Sequence, residues 1–465
     1  MNERDRASAA DAGTRGHGDT GTGASRGPGS NAGLPASAAG VTWLLRCVEC
    51  ALEYPGLDLR YRCDCGGTLD VVHPLDALRG RLSTALFDGR LSAAGSRAPL
   101  DRSGVWRFRE LVLPLAPEHV VTRLEGSTRL YDSPRLASWL GLDGVLLKHE
   151  GENPTGSFKD RGMTVGVSVA RRLGMSRVAC ASTGNTSASM ASYAAVARME
   201  ALVFIPEGKI AYGKLAQSLA YGALTVQIPG DFDAAMRLVE RVCARRGIYL
   251  LNSVNPFRIE GQKAIAFELL QDLDWQVPDW IVLPGGNLGN SSAIYKGVAE
   301  LHALGLIPRL PRMAVVQAEG ASPLYEAWST ASDLVPFAHA ETIATAIRIG
   351  NPVSWRKSLR GVLATSGVVE VVTDQEIVDA KARVDRAGIG AEPASCASLA
   401  GIRKLVAAGV IRADERVCAI LTGNLLKDPD VVVGYHRGTL DGLTSTHANP
   451  PIQAWLEPGG EIRWE

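Results

Sequence analysis

The chain has 465 residues, 46% of them hydrophobic, enough for two or more packed units. Lysine plus arginine and aspartate plus glutamate both number 49. That balance excludes the basic footprint of a nucleic-acid binder, and no apolar run is long enough to span a bilayer.

Residues 1–40 are rich in Gly, Ala and Ser and lack apolar periodicity, which predicts a disordered tail. The tail lacks the apolar core of a secretory signal. It carries Glu3, Asp5, Asp11 and Asp19, unlike an acid-poor transit peptide. A cytoplasmic, reducing location is expected, in which Cys180, Cys243, Cys396 and Cys418 stay as buried thiols. Residues 41–75 form a small cysteine-rich module. Cys47, Cys50, Cys63 and Cys65 stand in two close pairs around a Gly-Gly knuckle, the pattern of a zinc ribbon with a structural metal. The second pair, Cys-x-Cys, is tighter than usual, so a ribbon relic without metal stands as the alternative.

The remaining chain, residues 76–465, reads as one catalytic region. "GENPTGSFKDRG" (151–162) places a lysine behind turn formers and at the start of a helical run. Beyond residue 175 apolar strands alternate with helices. "RVACA", "ALVFIP", "LTVQI" and "IYLL" come first, then "WIVLP", "RMAVVQA", "VVEVV" and "RVCAIL". This alternation predicts an α/β fold with parallel sheets covered on both faces. Thr373 with Glu376 predicts a capping box.

Ligands in such folds bind beyond the carboxyl ends of strands. There the sequence places "STGNTS" (182–187), "NSVNPFR" (252–258), "GGNLGN" (285–290) and "TGNLLKDPD" (422–430). These loops offer hydroxyls, amides and bare N–H groups to an anion. "GGNLGN" between a strand and a helix suits a phosphate, although an ordinary strand-to-helix turn would look similar. It matches neither the Walker A nor the dinucleotide pattern, so a small phosphorylated cofactor is favoured over a nucleotide. A lysine beside such a pocket is the layout that holds pyridoxal phosphate, because burial keeps the amine deprotonated. A surface lysine paired with Asp160 is the competing assignment for Lys159.

Taken together, "ENPTGSFKDRGM", "ASTGNTSAS", "EGKIAYGKLAQSLAYGA", "NSVNPFRIEGQK", "IRIGNPVSW", "AEPASCASLAG" and "LTGNLLKDPD" resemble the threonine synthase family. That family belongs to the fold-type-II pyridoxal-phosphate enzymes, related to the tryptophan synthase β chain. The resemblance implies two parallel-sheet α/β subdomains, the smaller and mobile one at roughly residues 152–240. It implies conversion of O-phospho-L-homoserine and water to L-threonine and phosphate by a homodimer.

Position by position, Lys159 resembles the lysine that bonds the cofactor, with Phe158 before it. Asn185 resembles the asparagine at the cofactor's ring oxygen. Gly286, Asn287, Leu288, Gly289 and Asn290 match the phosphate cradle, and Thr422 matches the hydroxyl at the pyridine nitrogen. Ser182, Thr183 and Thr186 sit at a helix start suited to the substrate carboxylate. Asn252 and Arg258 resemble the ligands of the substrate phosphate, with a salt bridge from Arg258 to Glu260 as the alternative. The chain departs from the family pattern at Asn424-Leu425, where a His-Gly pair is usual, and at Cys396, where alanine is common. Another fold-type-II enzyme, either a threonine or serine ammonia-lyase or a threonine-synthase-like enzyme of specialised amino acid metabolism, and a non-catalytic paralogue are the alternatives.

Overall fold

The structure is a computed structural model. It describes residues 42–92, 98–206, 212–228, 232–449, 454–456, 459 and 462–464. The expected tail at 1–40 lies outside the described residues.

Two sheets dominate. The larger has six strands in the order Val368–Val372, Arg312–Ala318, Trp280–Pro284, Val417–Leu421, Val145–His149 and Leu130–Asp132. Its first five strands are parallel; the last runs antiparallel to Val145–His149. Every residue of Trp280–Pro284 and Val417–Leu421 is buried, because helices cover both faces. The smaller sheet is wholly parallel, in the order Leu224–Ile228, Glu200–Pro206, Arg177–Ala181 and Tyr249–Leu250.

Helix boundaries follow local chemistry. Ser133 accepts the Leu136 N–H ahead of Pro134, and Gly141 closes that helix at φ 79°. Thr373 and Glu376 form the predicted capping box before Asp374–Arg386. Strand Val145–His149 and its antiparallel edge partner were not anticipated. Leu130–Asp132 has three residues, too few to show a period, and Val145–His149 ends on Lys148 and His149, which break its apolar run.

The cysteine-rich residues form a three-stranded antiparallel sheet with Leu44–Cys47 in the centre. It is not a free-standing bead. Trp43, Leu45, Leu69 and Val71 join the buried cluster that also holds Val165, Ile265 and Leu288.

In both sheets the motif loops follow carboxyl ends of strands. "GGNLGN" follows Pro284, Thr422 follows Leu421, Ser182 follows Ala181 and Asn252 lies just after Leu250. The doubly wound topology thus gathers loops that are far apart in sequence.

Candidate active site

Helix Lys159–Arg172 begins on the lysine itself. The loop before it is laced to the loop after Leu421. Phe158 N–H donates to the Thr422 carbonyl at 3.0 Å, and Asn424 N–H donates to the Gly156 carbonyl at 2.9 Å. The Asn424 amide also reaches the Gly151 carbonyl at 3.3 Å. Gly151 must be glycine there, since a Cβ would stand 2.6 Å from the Asn424 nitrogen. Asn424, a departure from the family pattern, therefore pins the turn that frames the lysine.

Asp160 is not the partner of Lys159. Its carboxylate accepts from Thr155 N–H (2.7 Å), Thr155 Oγ1 (2.6 Å) and Ser189 Oγ (2.5 Å). Burial nonetheless pushes it up to about 6. The Lys159 amine instead lies 4.2 Å from the centroid of the Phe158 ring. Its dry surroundings first, and the Arg258 guanidinium second, lower it to about 7. An amine so placed is suited to act as a nucleophile and a proton carrier at neutral pH.

Glu392 completes this side of the site, and sequence reasoning missed it. Its carboxylate is buried and accepts from Asn185 Nδ2 and from Thr422 Oγ1, both at 2.9 Å. Burial pushes its acid upward against those two donors. The two residues assigned to the ring oxygen and the ring nitrogen are thus bridged by one acid. Thr422 Oγ1 also lies 3.0 Å from Ser395 Oγ, which accepts the Gly423 N–H. The available signal was an acid opening the block "EPASCASLAG". Cys396, the other departure, is fully buried against the Ala391 carbonyl with its thiol pushed up by desolvation.

The loop expected to cradle the phosphate opens helix Gly289–Ala303. Leu288 adopts φ 62° and precedes helix Gly289–Ala303, whose first N–H groups have no intrahelical partner. A Cβ on Gly286 would lie 3.0 Å from the Ile347 Cα, so glycine keeps that wall close. Both side-chain amide atoms of Asn290 are buried without a partner. Asn287 holds the loop in place, accepting the Val353 N–H at 2.7 Å and donating to Ser253 Oγ at 3.0 Å. These donors and the lowered lysine fit pyridoxal phosphate.

The substrate candidates meet on the small-sheet side. Ser182, Thr183 and Thr186 are half-buried at the start of helix Asn185–Ala197, and Ser182 Oγ accepts the Gly184 N–H. The Asn252 amide exchanges hydrogen bonds with both backbone groups of Ala181, which fixes the strand end leading to Ser182. Arg258 is 3% exposed. Its Nη1 donates to the Leu251 carbonyl at 3.1 Å, and its Nε has no partner. The alternative bridge to Glu260 is not made, since Glu260 pairs with Lys263, Lys296 and His73. Desolvation lowers the guanidinium to about 10. A buried cation without a carboxylate partner is costly, and an incoming anion would relieve that cost.

The four cysteine sulfurs lie within 4.8 Å of one another. Cys47–Cys65 and Cys50–Cys63 are each 3.5 Å apart, and the N–H groups of Glu49 and Cys50 point at the Cys47 sulfur. Ala51 and Gly66 take φ 60° and 86° at the two knuckles.

The chain matches the family described as "Pyridoxal-phosphate dependent enzyme" over residues 121–423. It is 47% identical to a threonine synthase of Methanocaldococcus jannaschii, with 84% of this chain and 94% of that protein aligned. It is 39% identical to "Threonine synthase 2, chloroplastic" of Arabidopsis thaliana over 85% of this chain and 78% of that protein. Among solved structures, threonine synthase from Escherichia coli superposes with a TM-score of 0.64 at 16% identity, covering 84% of this chain and 90% of that one. At that identity the likeness speaks for the fold. The fold, the lysine-centred site and the extent of these matches agree: the chain belongs to the pyridoxal-phosphate-dependent enzymes and, within them, to the threonine synthases.

Proposed function

We propose that the protein converts O-phospho-L-homoserine and water to L-threonine and phosphate. The observation that carries this reading is Arg258, a buried guanidinium with no acid partner among the described residues, near enough to lower the Lys159 amine. Serine and threonine carry no phosphate, so their deamination gives such an arginine no second anion beyond the carboxylate.

Lys159, Asn185, Thr422 and the 286–290 loop would hold pyridoxal phosphate, with Phe158 packed beside the amine. Bound there, the cofactor supplies an electron sink for charge developing on the substrate. The Lys159 amine takes and returns the protons at the substrate's Cα and Cβ. The hydroxyls of Ser182, Thr183 and Thr186, at a helix start, orient the carboxylate. Arg258 holds the phosphate that leaves from Cγ, with Asn252 keeping the adjacent strand end in place, and water adds at Cβ. A homodimer in the cytoplasm accompanies this reading. The free cysteines suit a reducing compartment, and no helix among the described residues is long and apolar enough to cross a membrane.

Purified protein given O-phosphohomoserine should release threonine and phosphate in equal amounts; phosphate release without threonine would sink the proposal. Arg258→Ala should weaken use of that substrate far more than any deamination of serine. A charged hydrogen bond is worth ~1.5–3 kcal/mol, or roughly tenfold to more than a hundredfold in rate. Equal losses in the two reactions would make Arg258 structural.

The second part of the reading is a structural zinc ion on Cys47, Cys50, Cys63 and Cys65. Four sulfurs converge, and backbone N–H groups support one of them, as zinc thiolates require. Metal analysis of untagged protein should give about one zinc per chain, lost in a Cys47→Ser, Cys50→Ser double variant. Protein grown in zinc-rich medium and purified without zinc would leave the relic reading.

A further inference from the structure

The cysteine module reaches both walls of the site. Toward the larger sheet, Lys357 donates to the Leu69 carbonyl at 2.6 Å and pairs with Asp70 at 2.7 Å. Arg356 pairs at 3.0 Å with Glu49, which lies between Cys47 and Cys50. Both cations belong to helix Trp355–Ala364. The two residues preceding that helix, Val353 and Ser354, donate their N–H groups to the side chain and carbonyl of Asn287 in the phosphate loop.

Toward the smaller sheet the link is Tyr61, two residues before Cys63. Tyr249–Leu250 is an edge strand, so its outward N–H groups have no strand to bond. The Tyr61 hydroxyl accepts the Leu250 N–H at 2.7 Å, and its ring meets Tyr249 edge-on at 5.9 Å. The backbone it caps carries the substrate side of the site. The Leu250 carbonyl accepts from the Asn255 amide, and the Leu251 carbonyl accepts from Arg258.

We propose that the metal-loaded cysteine module is a strut between the two subdomains, and that metal occupancy controls substrate-phosphate affinity. The inference rests on the structural-zinc reading. With the metal bound, the two knuckles share one anchor, and Glu49 and Tyr61 stand at fixed positions against opposite walls. With the metal gone, the two knuckles lose their shared ligand and are held only by strand pairing and packing on each side. Tyr61 then leaves the edge strand, and the Arg258 loop loses its register with the Asn287 loop.

The test uses full-length holoenzyme. Zinc content, inorganic phosphate binding followed by cofactor absorbance, and KM and kcat for O-phosphohomoserine are measured together. Tyr61→Phe should keep its zinc and its cofactor spectrum while phosphate affinity falls roughly threefold to thirtyfold, as the loss of one acceptor from a buried N–H allows. KM should rise alike, with kcat changing less. Chelation of the wild type should reproduce the loss, and zinc should reverse it, which keeps the test open if cysteine variants fail to fold. Tyr61→Phe with wild-type phosphate affinity overturns the strut, as does zinc-free protein that binds phosphate normally. Wild type that holds no zinc overturns the metal control. Phosphate binding is read without turnover, so an error about the reaction would show separately, as missing threonine.

Discussion

Lys159→Ala is expected to lose at least roughly a thousandfold in turnover, because the proposed function has one amine act as cofactor anchor and proton carrier. Borohydride treatment of the wild-type holoenzyme should fix the cofactor on Lys159; a tag on any other lysine would end the assignment. The pH dependence makes a second readout. Dry surroundings penalise the ammonium form, so the amine is lowered to about 7 and its free base prevails above that pH. The rate at which apo-protein captures pyridoxal phosphate should therefore rise through about pH 7. Arg258→Ala removes the second contributor and should move that midpoint upward. A midpoint in the ordinary lysine range would contradict the buried setting.

Arg161→Met is expected to cost about 3–5 kcal/mol of folding stability, the usual consequence of stripping the cation from buried carboxylates. Arg161 is fully buried two residues beyond Lys159. Its Nε lies 2.6 Å from Glu150, and its Nη2 lies 2.9 Å from Glu268. Glu268 also pairs with Lys148 at 2.7 Å. Burial would raise Glu268, yet Arg161 first and Lys148 next hold it well below the carboxylate range. A depressed native pKa gives stability that is present above the unfolded value and lost as pH falls through the native one. Without Arg161 the carboxylates lose that benefit and favour protonation. The stability gap between variant and wild type should thus narrow as pH falls below roughly 5. Denaturant midpoints at pH 7 and pH 4.5 decide it, and a gap that widens in acid would mean the network is not the cause.

The strands from Arg177 to Leu421 were legible because parallel strands buried on both faces read as short apolar runs between helices. The capping box was legible because its two partners lie three residues apart. Strand Leu130–Asp132 was not, since only pairing with Val145–His149 makes it a strand. The helix start at Lys159 could be read, but not the reason its loop is rigid. That depends on Thr422 and Asn424 donating or accepting across more than two hundred and fifty residues of chain.

By itself the sequence determined the α/β class, the lysine behind its glycine-rich turn, the glycine-rich loop after Pro284 and the four clustered cysteines, because each is written in neighbouring residues. Tertiary structure decided who partners whom. It sent Asp160 to Thr155 and Ser189 and Glu260 to Lys263, so Lys159 and Arg258 are left without acid partners among the described residues. It set Glu392 between Asn185 and Thr422, and Tyr61 against Leu250. Whether a lysine is a surface cation or a reactive amine depends on the charges and water around it. Those are fixed when distant loops meet at the ends of two sheets, not by the residues on either side.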